Sequence, residues 1–546
     1  MTQISGGSSQ VFDVNSSANM QTFSTRNLKK YLGVQIFVAI FVLYLWYQLN
    51  GGLIPSFLRP RLPFLQVGPD VHVLMFFGDA EDDGSKIKWA RAVNTKAKLD
   101  AAVKGTVHMV EGDVILRGQG TKVQSLVPVM GKPPQTDSDV TLTEWLDALK
   151  FGNKGIKLDF TSIDSVEISL EKLKQMNEKK TIEFPVWLHA DVLQGPHGGK
   201  ATVVATRFFK TVKRVFPKCT LSLGWTSGTH TDLSQSGYSW EMVMAMRDLV
   251  KSWDVDDQPI VFQARLSLIR NSVPQLKWLI DVVPHSALMI WHSPEDVKVS
   301  EDLMYVCYRF APNTVFFDLN EDYLQSHLKQ FRHFSREKVN ELVKRRDEVM
   351  FHPGAWVKMG FWKEQESILA STEALVLVSP IVYVISKSKY KPTPTIRLSG
   401  RVQFLNREGK EAESGRTGLD IFIRPTAYAD FDNIVAIKCF LGVNGEIEVS
   451  GSNLKKEFRR KSQKVTPSSV NCFRFSVIDA IHEIIFRVNI LHECNTLESV
   501  KEDTEVHAEL HIDIPTTLGV GEHPFIIKLD DSRRVAVIDE LNIKHT

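Results

Sequence analysis

Two carboxylates one residue apart, Glu111 and Asp113, end the apolar run Thr106–Leu116, and a third acid, Asp159, ends the run Gly155–Phe160. Residues i and i+2 of a β-strand point to the same face, so Glu111 and Asp113 are expected to lie side by side. Neighbouring carboxylates repel each other unless a cation lies between them, and hard divalent cations such as Mg²⁺ and Ca²⁺ prefer oxygen ligands. The sequence therefore predicts a Mg²⁺ or Ca²⁺ site formed by Glu111, Asp113 and Asp159.

The three acids belong to a region, residues 86–325, in which short apolar runs alternate with helical patterns. The runs are Lys86–Ala92, Thr106–Leu116, Gly155–Phe160, Phe184–Leu188, Thr220–Gly224, Ile260–Arg265, Ala287–Trp291 and Thr314–Leu319. Eight strands interleaved with helices predict an α/β fold, a TIM-type (β/α)8 barrel, with a doubly wound open sheet as the alternative. A further run, Val127–Met130, is expected to form a hairpin with the strand before it. The acids should then meet at the carboxyl ends of the barrel strands, which form the catalytic rim of such folds.

The pattern changes after the barrel region. Residues 326–354 combine basic side chains with helical spacing and are predicted to form a solvated helical linker. From residue 355 to residue 546, short runs with period-2 alternation are separated by turn residues, as in Glu505–Asp513. This alternation predicts a mostly β, sandwich-like C-terminal domain.

The most apolar segment lies near the start of the chain. Residues 31–49 are nineteen residues without a charge, and a helix of this length spans roughly 28 Å, close to the thickness of a bilayer core. Three basic residues precede the segment and the other flank is uncharged until Arg59, which places the N-terminus in the cytosol. We therefore predict a disordered cytosolic tail (1–30), a signal-anchor transmembrane helix (31–49) and a juxtamembrane spacer (50–85). The chain is then a type II, single-pass membrane protein whose bulk is extracellular or lumenal.

Composition and cysteine spacing limit the choices further. The net charge is +2, which gives no attraction to nucleic acid, so no nucleic-acid partner is predicted. Five cysteines are too few for a disulfide scaffold. Three of them, Cys439, Cys472 and Cys494, lie in the last third of the chain and allow one bridge, with its pairing left open.

Several motifs in the barrel region resemble those of the menorin family. They are Trp89–Asn94, Glu111–Asp113, Pro128–Pro134, Gly155–Phe160, Pro185–Asp191 and Leu221–Thr226. The resemblance runs in order through the barrel region and does not extend to the β-rich region. The menorin family is in turn similar to the phosphodiesterase-like TIM barrels, which include glycerophosphodiester phosphodiesterases and sphingomyelinase-type phospholipases. The resemblance implies that Glu111, Asp113 and Asp159 hold Mg²⁺ or Ca²⁺, which polarises a phosphoryl oxygen while two histidines perform acid–base chemistry.

The chain departs from that pattern at both histidines. Arg91 and Lys132 stand where the resemblance implies the two histidines, and Thr161 stands where it implies a lysine. An arginine stays protonated and cannot act as a base. A lysine could do so only if burial or a like-charged neighbour such as Arg91 lowered its pKa strongly. His189, at the end of the fourth predicted strand, is open to two interpretations, a ligand-binding or acid–base group and a structural hydrogen bond.

Two functional hypotheses follow. In the first, the chain is a membrane-anchored pseudoenzyme whose barrel and β-rich domain form a binding, adhesion or signalling ectodomain for an extracellular protein partner. Arg91 and Lys132 would then pair with the three acids, and this charge balance favours a metal-free site, with a bound Mg²⁺ or Ca²⁺ as the alternative. In the second, the chain is a metal-dependent phosphodiesterase or phospholipase in which Lys132 or His189 replaces the missing histidines. The sequence indicates no oligomeric state.

Overall fold

The computed structural model describes residues 68–545, apart from residues 229–236, 256, 270, 294–295, 297–299, 334–352, 360–367, 379–382, 393–394, 407–416, 429–432, 455–460, 466–470, 492–506, 515–520 and 531–533. All the described residues belong to one compact unit, Leu65–Thr546. The predicted cytosolic tail and transmembrane helix (1–30 and 31–49) lie outside the described residues. Within the described ranges, no helix is both long and apolar enough to cross a bilayer.

The described residues form helices throughout the first half of the unit and strands in both halves. The helices are α1 (Val73–Phe76), α2 (Lys96–Lys104), α3 (Leu142–Leu149), α4 (Ile163–Glu178), α5 (Ala205–Val215), α6 (Trp240–Ser252), α7 (Val273–Val282), α8 (Ser300–Arg309) and α9 (Glu321–His333). The strands of the first half are β1 (Trp89–Ala90), β2 (Met109–Leu116), β3 (Pro128–Met130), β4 (Gly155–Phe160), β5 (Val186–Gln194), β6 (Thr220–Thr226), β7 (Ile260–Arg265), β8 (Ser286–Trp291) and β9 (Val315–Asp318). The strands of the second half are β10 (Trp356–Met359), β11 (Ile368–Ala370), β12 (Ala374–Leu377), β13 (Tyr383–Ser386), β14 (Ile396–Asn406), β15 (Gly418–Ala427), β16 (Val435–Gly442), β17 (Glu446–Ser452), β18 (Lys461–Lys464), β19 (Cys472–Ala480), β20 (Glu483–Leu491), β21 (Ala508–Asp513), β22 (Ile526–Asp530) and β23 (Arg534–His545).

Eight parallel strands, β1, β2 and β4 to β9, form one sheet in chain order, and β3 pairs antiparallel with β2. A helix lies between each parallel strand and the next, and a last helix, α9, follows β9. The two ends of the sheet approach each other, because the Arg91 Nε lies 2.5 Å from the Asp318 Oδ1 and a Cβ added at Gly84 would clash with the Val315 carbonyl oxygen. Among the described residues no strand pair joins β9 to β1. The sheet is therefore barrel-like and nearly closed, which confirms the predicted α/β pattern at this level.

Residues on these strands alternate between two environments, as the pleat of a β-strand requires. One set packs against the helices and is apolar; it includes Val110, Ile156, Leu188, Leu221, Phe262, Ile290 and Phe317. The other set faces the interior. It starts at the amino ends of the strands with Met109, Trp187, Val261, Met289 and Phe316. It continues toward the carboxyl ends with Glu111, Asp113, Lys157, Asp159, His189, Asp191, Ser222, Gln263, Arg265 and Asp318. The carboxyl-terminal edge of the sheet, called the mouth below, is therefore polar.

Residues 71–87, called the closing segment below, cover the amino-terminal end of the barrel-like sheet. Their apolar side chains form one cluster with the inward residues Met109, Trp187 and Phe316. The carbonyl oxygen of Pro69 accepts a hydrogen bond from the backbone N–H of Val186 at 2.9 Å, at the start of β5. The predicted spacer 50–85 is therefore wrong over its final residues. Their apolar side chains are too irregularly spaced to indicate a helix or strand, yet they complete the interior of the sheet.

Two antiparallel sheets of seven strands each make up the region from β10 to β23. One has the order β10-β13-β22-β15-β16-β17-β18, and the other β11-β12-β23-β14-β19-β20-β21. Residues from both sheets share a core, with Ile421 and Ile437 from the first and Val402 and Phe475 from the second. The all-β prediction for the C-terminal region is confirmed. Of the predicted basic linker 326–354, residues 326–333 belong to α9 and residues 334–352 lie outside the described ranges.

The β-rich region packs directly on the barrel-like region. Residues from β12, β14 and β23 belong to the same apolar cluster as the helices around the barrel-like sheet; they are Ala374, Val376, Leu405, Val535 and Val537. At this interface Arg309 forms a salt bridge with Glu373, and both side chains are about 95% buried, being 5% and 4% exposed. The Gln403 amide also donates to the Glu241 carboxylate at 2.9 Å.

The cysteines fall into two groups. Cys219, Cys307 and Cys439 are free thiols, and Cys472 is disulfide-bonded. Of the five cysteines in the sequence, the one remaining is Cys494, which lies outside the described residues. Cys472 is one of the three cysteines in the last third of the chain, where the sequence allowed a bridge.

Candidate functional site

Glu111, Asp113 and Asp159, called the carboxylate triad below, come together at the mouth. Asp113 of β2 is level with Asp159 of β4 in the parallel register. One carboxylate oxygen from each of the three acids lies within 4.8 Å of the other two. Glu111 and Asp113 are 7% and 2% exposed. The i, i+2 spacing on β2 and the parallel register with β4 therefore bring the three side chains together, as the sequence predicts.

The segment after β1 orients two of the carboxylates. The Asn94 side-chain amide donates to the Asp113 Oδ2 at 2.8 Å, and the Asp113 backbone N–H donates to the Asn94 Oδ1 at 3.0 Å. The backbone N–H of Ala92, a residue with φ of 46°, donates to the Glu111 Oε2 at 3.0 Å. A left-handed conformation is uncommon for alanine and marks a locally constrained backbone. These contacts leave one oxygen of Asp113 to face the interior.

A buried lysine that was not among the predicted site residues, Lys157, lies beside the triad. It precedes Asp159 by two residues on β4, so both side chains face inward, and its Nζ lies 2.9 Å from the Asp159 Oδ1. Its side chain is 3% exposed. Burial opposes its charge, but the carboxylates of Asp159, Glu111 and Asp318 outweigh burial and raise its pKa. Lys157 is therefore a fixed ammonium in the interior. The i, i+2 rule that linked Glu111 to Asp113 would also have found it.

Lys132, one of the two residues at an implied histidine position, also reaches the triad. Its Nζ lies 3.4 Å from the Asp113 Oδ1, and its side chain is 65% exposed. Burial lowers the pKa of Lys132, but the nearby carboxylates of Asp113 and Asp159 outweigh burial, and the net pKa is raised. A lysine acting as a base would need the opposite shift. Lys132 therefore stays protonated, and because it is mostly exposed its attraction to Asp113 is screened by solvent.

Arg91 is at the other implied histidine position, and it contacts an acid outside the carboxylate triad. Its Nε lies 2.5 Å from the Asp318 Oδ1, and Asp318 is 6% exposed. Burial and the charge of Glu111 raise the pKa of Asp318 to about 6, while Arg91 acts in the opposite direction. The expectation that Arg91 pairs with the triad is therefore corrected: it joins the last strand to the first. Asp318 carried the same sequence signal as Asp159, an acid at the end of an apolar run.

The triad fits a hard divalent cation in its donor set. All its donors are carboxylate oxygens, which Mg²⁺ and Ca²⁺ prefer. The Asp113 Oδ1 and the Asp159 Oδ1 are buried, and among the described residues their contacts are ion pairs. The ammonium groups of Lys132 and Lys157 lie near these same two oxygens and compete with a cation for them. Burial and the charge of Asp159 raise the pKa of Glu111, so part of the negative charge can also be removed by protonation.

A second ionisable pair, His189 and Asp191, faces the mouth from β5. The His189 Nδ1 lies 3.0 Å from the Ser222 carbonyl oxygen, which fits an N–H donor there, and its Nε2 lies 3.6 Å from the Asp191 Oδ1. Burial and the charge of Lys157 hold the pKa of His189 well below its ordinary value. Burial and the charge of Asp159 raise the pKa of Asp191 to about 7. The structural hydrogen bond predicted for His189 is the one to the Ser222 carbonyl oxygen. The pair thus combines a neutral imidazole with a carboxyl group whose pKa is raised to about 7.

The raised pKa of Asp191 predicts a pH-dependent difference between the wild type and Asp191→Asn. The folded wild type holds this proton up to about pH 7, whereas the unfolded chain releases it near pH 4, so the wild type loses stability as pH rises between these values. The variant has no such proton. Its free energy of unfolding relative to wild type should therefore increase between pH 4 and pH 7 and level off above. The increase should be smaller than the roughly 4 kcal/mol of a fully buried group, at about 1.4 kcal/mol per pKa unit, because the Asp191 side chain is 40% exposed and solvent screens its charge. Urea unfolding at a series of pH values checks this.

A matched control is Asp137→Asn. Asp137 is exposed, and its pKa is lowered through a hydrogen bond from Arg117. The control should show a small trend of the opposite sign, because an acid with a lowered pKa contributes stability that is lost as pH falls. A flat difference between Asp191→Asn and wild type would mean that Asp191 is ionised in the folded protein.

The fold and the site define a class of protein. It combines a barrel-like α/β region, which carries a carboxylate cluster at the carboxyl ends of its strands, with an all-β region packed against it. The Menorin N-terminal domain model matches residues 83–324, and the Menorin C-terminal domain model matches residues 358–536. The chain belongs to the menorin family. The resemblance seen in the barrel motifs is thus confirmed, and the expectation that it ends before the β-rich region is wrong.

Relatives and solved structures were also found. Protein FAM151B of Homo sapiens is 40% identical over 259 residues, which cover 47% of this chain and 90% of that protein. The metal-free VIP36 exoplasmic/lumenal domain has 11% sequence identity, covers 35% of this chain and 87% of its own, and has a TM-score of 0.24. The carbohydrate-binding module CBM66 from Bacillus subtilis has 11% identity, covers 35% of this chain and 95% of its own, and has a TM-score of 0.22.

Proposed function

We propose that this chain is a membrane-anchored binding protein, an adhesion or signalling ectodomain built on a degenerate phosphodiesterase-like barrel. The observation that carries the proposal is that both implied histidine positions hold cations in contact with buried carboxylates, Arg91 with Asp318 and Lys132 with Asp113. Lys132 and Lys157 have raised pKa values, and Arg91 is an arginine held by Asp318. Acid–base catalysis needs a group whose pKa lies near the working pH. Among the described cations beside the triad, none meets this requirement, which supports binding over cleavage.

The phosphodiesterase-like ancestry is part of the proposal. In that superfamily a closed TIM-type barrel carries its acids at the carboxyl ends of the strands. Here the eight parallel strands run in chain order, each followed by a helix. The contacts of Arg91 with Asp318 and of Gly84 with Val315 lie where β9 and β1 would close the barrel. These features support a closed (β/α)8 barrel, in which the inward polar residues form the site.

A divalent cation at this site would be held by Glu111, Asp113 and Asp159. When bound, Mg²⁺ or Ca²⁺ would polarise a phosphoryl oxygen of a ligand. Asn94 orients Asp113 for this role. Lys157 and Lys132 already neutralise much of the triad's charge. We therefore propose that the site binds divalent cations weakly and is mostly metal-free, with the two ammonium groups taking the place of the ion.

Turnover of a phosphodiester tests the choice between binding and cleavage. We expect purified Leu65–Thr546 to hydrolyse bis(p-nitrophenyl) phosphate and glycerophosphocholine no faster than its Asp113→Asn variant, with Mg²⁺ or Ca²⁺ present. The double variant Arg91→His/Lys132→His should gain activity, because well-placed acid–base groups contribute about 10²–10⁴-fold. Calorimetric titration with each metal gives the affinity independently. A wild-type rate that disappears in Asp113→Asn would overturn the pseudoenzyme proposal.

The location of the protein is proposed from two features. Residues 31–49 are apolar and preceded by basic residues, and Cys472 is disulfide-bonded. Disulfides persist in oxidising compartments and are rare in the cytosol. The proposal is a type II protein with its folded unit extracellular or lumenal, which fits an extracellular protein partner.

Glycosylation mapping tests this topology in cells. An Asn-Ala-Thr acceptor introduced at exposed positions 120–122 should be glycosylated, and one introduced within residues 1–30 should not. The control has Ala-Ala-Thr in place of Asn-Ala-Thr at each of the two sites. Glycosylation confined to the N-terminal tail would reverse the orientation, and glycosylation at neither position would place the folded unit in the cytosol.

A second candidate function rests on the His189–Asp191 pair. Their 3.6 Å separation places an imidazole whose pKa is held well below its ordinary value next to a carboxyl group whose pKa is raised to about 7. In this alternative the chain is a metal-dependent phosphodiesterase or phospholipase in which Asp191 donates a proton and His189 accepts one. This alternative predicts that the wild type hydrolyses a phosphodiester and that the rate falls strongly in His189→Gln. The binding proposal predicts no turnover in the wild type or in this variant.

A further inference from the structure

The hairpin loop between β2 and β3 displays apolar side chains to solvent on the mouth side of the barrel-like region. Val123 is 79% exposed and Leu126 is 74% exposed. The loop is nevertheless well held, because the Ser125 N–H donates to the Arg117 carbonyl and the Arg117 N–H to the Val127 carbonyl, both at 2.9 Å. A fixed loop that keeps large apolar side chains in water is typical of an interaction site.

Beneath this loop lies a groove of about 560 Å³, separate from the carboxylate triad. Its apolar part consists of Leu116, Leu126 and Ile163, and Leu116 is 1% exposed. One side of the groove is the hairpin, and the other sides are helices α4 and α5. The groove is large enough to accept one or two side chains from another protein.

Helix α5 gives the groove a positive wall. Its residues Arg207, Lys210, Thr211 and Arg214 line the groove. Their i, i+3, i+4, i+7 spacing puts them on one helix face, while Phe208, Phe209 and Val212 pack into the core. The cations therefore form a stripe about two turns long beside the apolar floor.

The charges along this stripe are only partly compensated. Arg214 forms a salt bridge with Glu167 at 2.6 Å. Asp164 lies in the first turn of α4, where the helix dipole favours a negative charge. Arg207 and Lys210 make no salt bridge within the part of the chain that the structure describes. The groove therefore offers two cations to an incoming ligand.

We propose that this groove is the docking site for a protein partner, which inserts a segment carrying a large apolar side chain next to carboxylates. The apolar side chain fills the space between Leu116, Leu126 and Ile163, and the carboxylates pair with Arg207 and Lys210. A concave, partly charged groove suits a protruding segment better than a flat bilayer surface. The inference rests on the proposed binding function and gives that function a location.

Selection from a phage-displayed library of short random peptides, with Leu65–Thr546 as bait, tests the proposal. We expect enrichment of peptides in which Leu or Phe neighbours Asp or Glu. Their affinity should fall about tenfold or more both in Arg207→Glu/Lys210→Glu and in Leu126→Asp, as for central residues of an interface. These substitutions are at exposed positions, so the variants should stay folded, which circular dichroism checks.

Matched controls lie at the opposite end of the barrel-like region. Lys104→Glu/Lys179→Glu makes the same change in charge at exposed positions, and Phe151→Asp changes an apolar side chain that is 86% exposed. Both controls should keep wild-type affinity. The proposal is overturned if no peptide is enriched, if the enriched peptides bind all variants equally, or if phosphatidylserine vesicles bind through these residues instead. Turnover lost in Asp113→Asn would contradict the proposed function separately, since Asp113 is not in the groove.

Discussion

Replacing Lys157 by Met should destabilise the folded unit by about 3–5 kcal/mol at neutral pH, the range for removing one partner of a buried ion pair. The reason is that Lys157 is the only buried cation in contact with Asp159 among the described residues, and its side chain is 3% exposed. Without it, Glu111, Asp159 and Asp318 repel one another in a site with little solvent. Urea unfolding at neutral pH measures the loss.

Added Ca²⁺ should restore part of this stability. If Lys157 takes the place of a divalent ion, its removal leaves the triad oxygens to the metal. The midpoint of urea unfolding for Lys157→Met should then rise with Ca²⁺ concentration much more than that of the wild type. The loss should also shrink as pH falls toward 5, because the pKa values of Glu111 and Asp159 are already raised by burial and protonation removes their repulsion.

Lys154→Met is the matched control, three residues earlier in the chain. Lys154 is also buried, but its Nζ donates to the carbonyl oxygens of Gly105 and Val107 at 2.8 and 2.9 Å. It should lose about 1–3 kcal/mol, the contribution of hydrogen bonds donated by a charged group, and gain nothing from Ca²⁺. Equal losses and equal Ca²⁺ responses in the two variants would mean that Lys157 is an ordinary structural lysine.

Replacing Arg309 by Met should lower the free energy of unfolding by about 3–5 kcal/mol. It should destabilise both halves of the folded unit. Arg309 ends α8, Glu373 lies just before β12, and both side chains are about 95% buried. Removing Arg309 leaves the Glu373 carboxylate buried without its cation. The expected result is a single urea transition at lower denaturant, seen equally by tryptophan fluorescence and by circular dichroism.

Two further variants separate the buried pair from salt bridges in general. Arg214→Met breaks the exposed pair with Glu167, whose side chains are 54% and 58% exposed, and should cost no more than about 1 kcal/mol. Arg309→Met/Glu373→Met should recover most of the loss, because no buried charge remains. Two separate transitions in the wild type would contradict the shared apolar core between the barrel-like and β-rich regions.

The strand pattern could be predicted because it depends on neighbouring residues. The runs Gly155–Phe160 and Ile260–Arg265 coincide with β4 and β7, and the alternation of residue types gave the inward face of β2. The positions of Glu111, Asp113 and Asp159 followed from this alternation and from the parallel register. In such a sheet, local spacing determines which side chains share a layer.

Contacts between distant segments could not be predicted in the same way. Arg91 was expected beside the triad, but it binds Asp318, more than two hundred residues later in the sequence. Which acid it meets depends on how β9 approaches β1, which no local pattern records. The closing segment was missed for a related reason: its apolar side chains pack on β2, β5 and β9, and no local pattern records those contacts.

The closing segment makes the two ends of the barrel-like sheet different. It covers the amino-terminal end, called the back below, and the mouth at the carboxyl-terminal end is the front. Pro69 lies at the back, beside the start of β5, and the carboxylates lie at the front. A protease cut inside residues 71–87 would therefore uncover Trp187, Met289 and Phe316 at the back and destabilise the fold, although it would cleave no peptide bond in the mouth.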